Sequence, residues 1–122
     1  MDVGRRLIIA DDSSFARAVL EKHLEGTEFR VVGQAGDSKE ASDLYRNAPA
    51  DAVVLDVIMP GQDGVTTVRE IIALDPGARI LIVSSLGTQN VVEECLREGA
   101  RAFLQKPCER ERLIEALRAL FR

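Results

Sequence analysis

The sequence predicts an α/β fold: a three-layer, doubly wound (βα)5 sandwich around a parallel five-stranded sheet. Two observations carry this prediction. Short apolar runs alternate five times with segments of helical period along the chain. The inner runs, such as Ala52 to Leu55 and Ile80 to Val83, are apolar without interruption, as strands covered by helices on both faces are. A chain of 122 residues also excludes a closed βα barrel, which needs about eight such units and roughly 250 residues.

Taken in order, the first run, Arg6 to Ala10, leads into a helix from about Ser14 to Glu25 whose Ala16, Val19, Leu20 and Leu24 share a face. Phe29 to Ala35 is the second strand. Asp37 or Ser38 then caps a helix on which Ala41, Leu44, Tyr45 and Ala48 recur at spacings of three and four. The third strand, Ala52 to Leu55, is followed by the loop DVIMPGQDG (56–64) and a helix carrying Val65, Val68 and Ile72. Met59-Pro60 and Gly64 shape that loop: Pro fixes φ, and Gly permits the turn into the helix. Arg79 to Ser85 is the fourth strand, and its helix turns Val92, Cys95 and Leu96 inward before stopping near Gly99. Ala102 to Gln105 and a helix with Leu113, Ile114, Leu117 and Leu120 complete the chain, so residues 1–122 are expected to form one domain.

Hydrophobic residues at 46% and charged residues at 30% match globular averages and exclude a disordered, collagenous or coiled-coil chain. No apolar run approaches the roughly 20 residues of a membrane span. The N-terminus, MDVGRRLIIADD, lacks the apolar stretch of a secretory signal. The expectation is a cytoplasmic protein without membrane insertion. Cys95 and Cys108 fit neither a metal-ligand spacing nor a disulfide framework and read as free thiols, Cys108 as an inert one. A net charge of −4 disfavours nucleic acid as a partner. The charge is uneven: residues 1–96 hold 9 Lys+Arg against 16 Asp+Glu, residues 97–122 hold 7 against 4. The basic C-terminal quarter either faces an acidic partner or is an ordinary solvated surface. His23 reads as a packing residue.

In doubly wound sheets ligands sit outside the carboxyl ends of the strands. Asp11 and Asp12 follow the first strand and Asp56 follows the third. Any one of them could be a helix cap or turn residue. Together, acids at neighbouring strand ends repel one another unless a cation shares them, and an oxygen-only set of few ligands suits Mg²⁺. Ser84 and Ser85 follow the fourth strand. Lys106, before Pro107, follows the fifth, where its ammonium can lean toward the carboxylates. Three acids, a hydroxyl and a lysine make a site for a phosphoryl group bridged to Mg²⁺.

With these residues the chain resembles, over its whole length, the receiver domains of two-component response regulators, particularly the stand-alone chemotaxis (CheY-like) type. Asp11 and Asp12 match the acidic pair, Asp56 in DVIMPGQDG the phosphoacceptor, Ser84 the hydroxyl switch, Lys106-Pro107 the lysine with its cis-proline bond, and Phe103 the switch aromatic. The resemblance implies the flavodoxin-like strand order 2-1-3-4-5. It also implies that Asp56 accepts a phosphoryl group from a sensor histidine kinase. Mg²⁺ would be held by Asp12, Asp56 and the backbone carbonyl of Ile58, with Asp11 acting through water. Lys106 would pair with the phosphoryl oxygens, Ser84 would move to hydrogen-bond them, and Phe103 would turn into the space released. The face of the fourth helix, fifth strand and fifth helix would then bind a downstream target, a flagellar motor switch component or another chemotaxis protein. Such a protein is a phosphoacceptor, not an enzyme, and promotes only its own phosphorylation and dephosphorylation.

Two positions depart from the family pattern. Ile58, two places after Asp56, stands where a polar residue is usual, and Leu86 stands two places after Ser84. Apolar side chains there disfavour the placing of a hydrolytic water, so slow self-dephosphorylation is expected. The switch aromatic is Phe and not Tyr. With no linker or helix-turn-helix after the fifth helix, the expected mode is binding in trans. The segment IVSSLG (82–87) also resembles methylesterase-type regulators, so a receiver fragment of a longer methylesterase or DNA-binding regulator is the alternative. A Mg²⁺-dependent aspartyl-phosphate phosphatase would need an Asp-x-Asp pattern and a cap domain, where this chain has Asp11-Asp12-Ser13. A flavin or nucleotide binder would need a Gly- or Ser/Thr-rich phosphate loop where ADDSSF puts two carboxylates.

Overall fold

Across residues 4–61 and 63–122, which the computed structural model describes, five strands alternate with five helices. They are β1 (Arg5–Ala10), α1 (Ser14–His23), β2 (Phe29–Ala35), α2 (Ser38–Asn47), β3 (Ala52–Asp56), α3 (Gly64–Leu74), β4 (Ile80–Ser84), α4 (Gln89–Arg97), β5 (Ala102–Gln105) and α5 (Arg110–Ala119). All strand pairs are parallel, in the order β2-β1-β3-β4-β5. This is the flavodoxin-like (βα)5 arrangement that the resemblance implied. The chain reverses its direction of winding between β1 and β3, so a crevice opens where those two strands end.

Alternate residues of the inner strands serve opposite faces. Leu7 and Ile9, Ala52 and Val54, Leu81 and Val83 pack with Leu20 and Leu24 of the α1 side and Leu113, Ile114 and Leu117 of α5. Ile8 and Ala10, Val53 and Leu55, Ile80 and Ile82 pack with Ala41 and Tyr45 of α2, Val68 and Ile71 of α3, and Val92 and Cys95 of α4. All of these side chains are buried. Each full burial of a Leu or Ile contributes about 1.5–3 kcal/mol, which makes these two layers the main support for whatever stands at the strand ends.

The edge strands depart from the expectation that strands are covered on both faces. β5 alternates half-buried and exposed residues, and so does most of β2. In β2 the register shifts between Leu7, opposite Val31, and Ile8, opposite Gly33, which leaves Val32 outside the pairing and exposed. Helix ends also differ. α1 stops at His23, because the Leu24 amide turns back onto Leu20 and Glu21 and Gly26 takes φ +80°. Ala48 is the exposed C-cap of α2 and not part of its apolar face. On α3 Ile71 is buried beside Val65 and Val68, and Ile72 is only partly buried. It lies across Gly99, where an added Cβ would come within 2.9 Å of the Ile72 Cγ1. Leu96 of α4 is 36% exposed. Gly64 is not needed for a positive φ; it is buried at the start of α3, where a Cβ would stand 2.9 Å from the Val57 Cα. Close approach of α3 to the β3–α3 loop is therefore what this glycine permits.

Candidate functional site

The acidic residues reach the crevice because other residues do the capping. Ser13 is the N-cap of α1, its Oγ accepting from the Ala16 amide at 3.1 Å. Asp63 caps α3 and accepts from the Thr66 amide at 2.8 Å. Asp11 and Asp12 are thus released from the capping role that either could have taken. Asp11 extends β1: its amide donates to the Ala35 carbonyl at 3.0 Å. Its Oδ1 accepts from the Ser13 amide at 2.9 Å, and the Arg17 guanidinium donates to its backbone carbonyl. Asp56 ends β3 and its Oδ1 accepts from the Ile58 amide at 2.9 Å, so it both starts a turn and faces the crevice.

Lys106 joins the two strand ends. Its Nζ lies 2.6 Å from Asp11 Oδ2 and 2.9 Å from Asp56 Oδ2. Its own amide donates to the Ser84 carbonyl at 2.7 Å, and the bond to Pro107 is cis, as expected. Asp11 and Asp56 are buried and Asp12 is exposed. One carboxylate oxygen from each of the three lies within 4.8 Å of the others.

Burial pushes the Asp56 carboxyl above the ordinary carboxylate range, and the Ile58 amide and Lys106 offset this only in part. Burial would lower the Lys106 ammonium, but its hydrogen bonds to Asp11 and Asp56 prevail and raise it. The lysine stays charged at neutral pH and is still one cation against three carboxylates. Hard oxygen donors, crowded and short of positive charge, fit a small dication such as Mg²⁺.

Ser84 is buried at the end of β4 and Phe103 is 49% exposed on β5. Both line one cavity of about 270 Å³, together with Thr88, Val92 and Leu96 of the α4 region. A second cavity of about 420 Å³ runs beside the site from Lys106, Pro107 and Cys108 to Phe15, Ala16 and Leu20. Ile58, Leu86 and Phe15 are all exposed large apolar residues. Phe15, Ser13 and Arg17 were not among the residues singled out in the sequence. Ser13 carried a signal, since Ser is a preferred N-cap, whereas the bond from Arg17 to a backbone carbonyl has no sequence signature. Both cysteines are free thiols, and burial pushes the Cys95 thiol up to about 11 and raises that of Cys108.

The model of the response regulator receiver domain matches residues 7–118. This chain belongs to the response regulator receiver domain family. The receiver is 35% identical to the chemotaxis protein CheY of Thermotoga maritima over 115 residues, which is 94% of this chain and 96% of that protein. It is 35% identical to the CheY of Listeria monocytogenes over 112 residues, 92% of this chain and 94% of that one. A chain of the crystal structure of the CheX-CheY-BeF3-Mg²⁺ complex from Borrelia burgdorferi superposes with a TM-score of 0.90 at 32% identity, covering 97% of this receiver and 90% of that chain. Receiver domains of this kind are phosphoacceptor signalling domains, and dependence on Mg²⁺ is a general property of theirs. No described helix is long and apolar enough to cross a membrane.

Proposed function

We propose that this receiver takes a phosphoryl group on Asp56 from a sensor histidine kinase and then binds a downstream protein in trans through α4, β5 and α5. A role in chemotaxis is supported by the likeness to the two CheY proteins, with a flagellar motor switch component or another chemotaxis protein as the target. The observation that carries the reading is the placing of Asp56. It is a buried carboxylate at the end of a central strand, with one oxygen on the Ile58 amide and the other on Lys106.

The chemistry follows from the side chains. An Asp56 oxygen attacks the phosphorus, the bond from phosphorus to the donor's imidazole nitrogen breaks, and that nitrogen leaves with the electron pair. Asp11, Asp12, Asp56 and the Ile58 carbonyl would hold Mg²⁺, which when bound would offset the negative charge that accumulates as the phosphoryl group meets the carboxylate. Lys106 transfers its hydrogen bond from Asp56 to a phosphoryl oxygen. The Ser84 hydroxyl turns toward the same group and donates to it. Phe103, beside Ser84 in the shared cavity, then turns inward and changes the outer face of β5 and α4.

Intact mass spectrometry after incubation with acetyl phosphate tests this. A single phosphoryl adduct that forms on the wild type with Mg²⁺, and neither on Asp56→Asn nor without metal, is the expected result. An adduct of equal yield on Asp56→Asn would overturn the acceptor assignment.

A further inference from the structure

On the proposed reading the loop after Asp56 presents the Ile58 carbonyl to the metal, so what holds the loop's backbone on either side of that carbonyl decides where it points. We propose that the first turn of α2 positions it, through the backbone amide of Ser38; this rests on the reading that the Ile58 carbonyl joins the carboxylates around Mg²⁺. Ser38 is the first residue of α2, so its N–H has no partner within the helix. That N–H donates to the Pro60 carbonyl at 3.3 Å. Pro60 has no N–H of its own, which makes its carbonyl the only backbone group through which that residue can be tied down. Gly61, next along, takes φ +102° and runs against the same turn. A Cβ placed on it would lie 3.8 Å from both the Asp37 Cβ and the Ser38 nitrogen, and 3.9 Å from the Lys39 nitrogen.

The support is itself hydrogen-bonded. The Asp37 Oδ1 accepts from the Glu40 amide at 2.8 Å, the Glu40 carboxylate accepts from the Gly36 amide at 2.8 Å, and Ser38 is fully buried. The loop is therefore fastened on either side of the Ile58 carbonyl. The Ile58 amide is bound to Asp56, and two residues later the Pro60 carbonyl is bound to α2. Met59, between them, packs against the core. Through this amide Ser38 acts by fixing where a ligand points, as outer partners of metal ligands do.

Two substitutions at one position isolate the amide. Ser38→Pro removes the N–H and puts a ring carbon in its place, which displaces the Pro60 carbonyl. Proline is favoured at the first position of a helix, and Asp37, at φ −146° and ψ 168°, already has the extended backbone that a residue before proline prefers. Ser38→Ala loses the hydroxyl as Ser38→Pro does but keeps the amide. Mg²⁺ affinity by titration calorimetry is the readout, with hydrogen exchange of the Ile58 amide beside it. The expected result is Ser38→Ala within about twofold of the wild type and Ser38→Pro about tenfold weaker, with faster exchange at Ile58. Gly61→Ala strains the loop backbone through its positive φ, its Cβ making only ordinary contact with the first turn of α2, and is expected to weaken Mg²⁺ in the same sense even should Ser38→Pro fail to fold. Equal Mg²⁺ affinity of folded Ser38→Pro and Ser38→Ala, or an unchanged affinity in Gly61→Ala, would overturn the proposal. A wild type that binds no Mg²⁺ would instead overturn the reading of the site on which it rests.

Discussion

Lys106 holds Asp56 by one carboxylate oxygen, 2.9 Å from its ammonium, although the two residues are 50 apart in the chain. The bond is incomplete compensation, since burial still raises the Asp56 carboxyl and Asp11 draws on the same ammonium. Without metal, ionised Asp56 therefore works against folding at neutral pH. Asp56→Asn is expected to stabilise the metal-free protein by about 1 kcal/mol. Lys106→Ala, which leaves the acids facing one another, is expected to destabilise it by about 2 kcal/mol. Urea unfolding with and without Mg²⁺ checks both, and a metal-free Asp56→Asn less stable than the wild type would refute the imbalance.

The lifetime of a phosphoryl group on Asp56 depends on whether a water can be held in line behind the phosphorus. Ile58 is 53% and Leu86 75% exposed, so neither is committed to the core and either can be exchanged without loss of packing. Neither side chain can orient that water. Replacing both, with Ile58→Asn and Leu86→Gln, should shorten the lifetime by about tenfold or more. Decay of the mass-labelled adduct measures it, and equal lifetimes would remove the explanation.

Tyr45 is buried in the layer under α2 and its hydroxyl donates to Asp75 Oδ2 at 2.7 Å. Burial and then Asp75 push the phenol up. Tyr45→Phe keeps the ring and frees an Asp75 that water can reach, so the expected cost is about 1 kcal/mol. With one Tyr and no Trp in the chain, ultraviolet titration follows this phenol alone. Tyrosinate should form with alkaline unfolding and not near the ordinary 10.0.

Strands flanked on both sides were legible because double burial makes their runs continuously apolar, which no edge strand needs. β2 and β5 are exposed on alternate residues for that reason, and their place at the edges came from the family resemblance rather than from periodicity. Asp11, Asp12, Asp56 and Lys106 could be found because each stands at the carboxyl end of an apolar run, Asp11 and Asp56 directly after it and Asp12 and Lys106 one residue further on. What brings them together, a lysine bonded to an aspartate 95 residues earlier, has no local signature. Local competition was also opaque: Ser13, Asp11 and Asp12 could each have capped α1, and only the backbone path of β1 decides that Ser13 does. The role of Gly64 was misread for a similar cause, because a glycine that permits close packing looks the same in sequence as one that permits a turn.

At the opposite end of the sheet from the site, Arg118 of α5 grips Glu28 with two hydrogen bonds of 2.8 and 2.9 Å. The Arg118 guanidinium holds the Glu28 carboxyl at about 2, against an ordinary 4.5. A carboxyl held low stabilises the fold fully above its unfolded value and loses that contribution as pH falls toward its folded one. The window is therefore pH 4.5 down to about 2. The pair is partly exposed, so its coupling at neutral pH is expected to stay below about 1 kcal/mol. Glu28→Gln should flatten the acid limb of the stability curve within that window and leave Mg²⁺ binding at the far end of the strands unchanged. Thermal unfolding across the window checks the first statement and calorimetry the second; an acid limb as steep as that of the wild type would show that the ion pair contributes nothing to it.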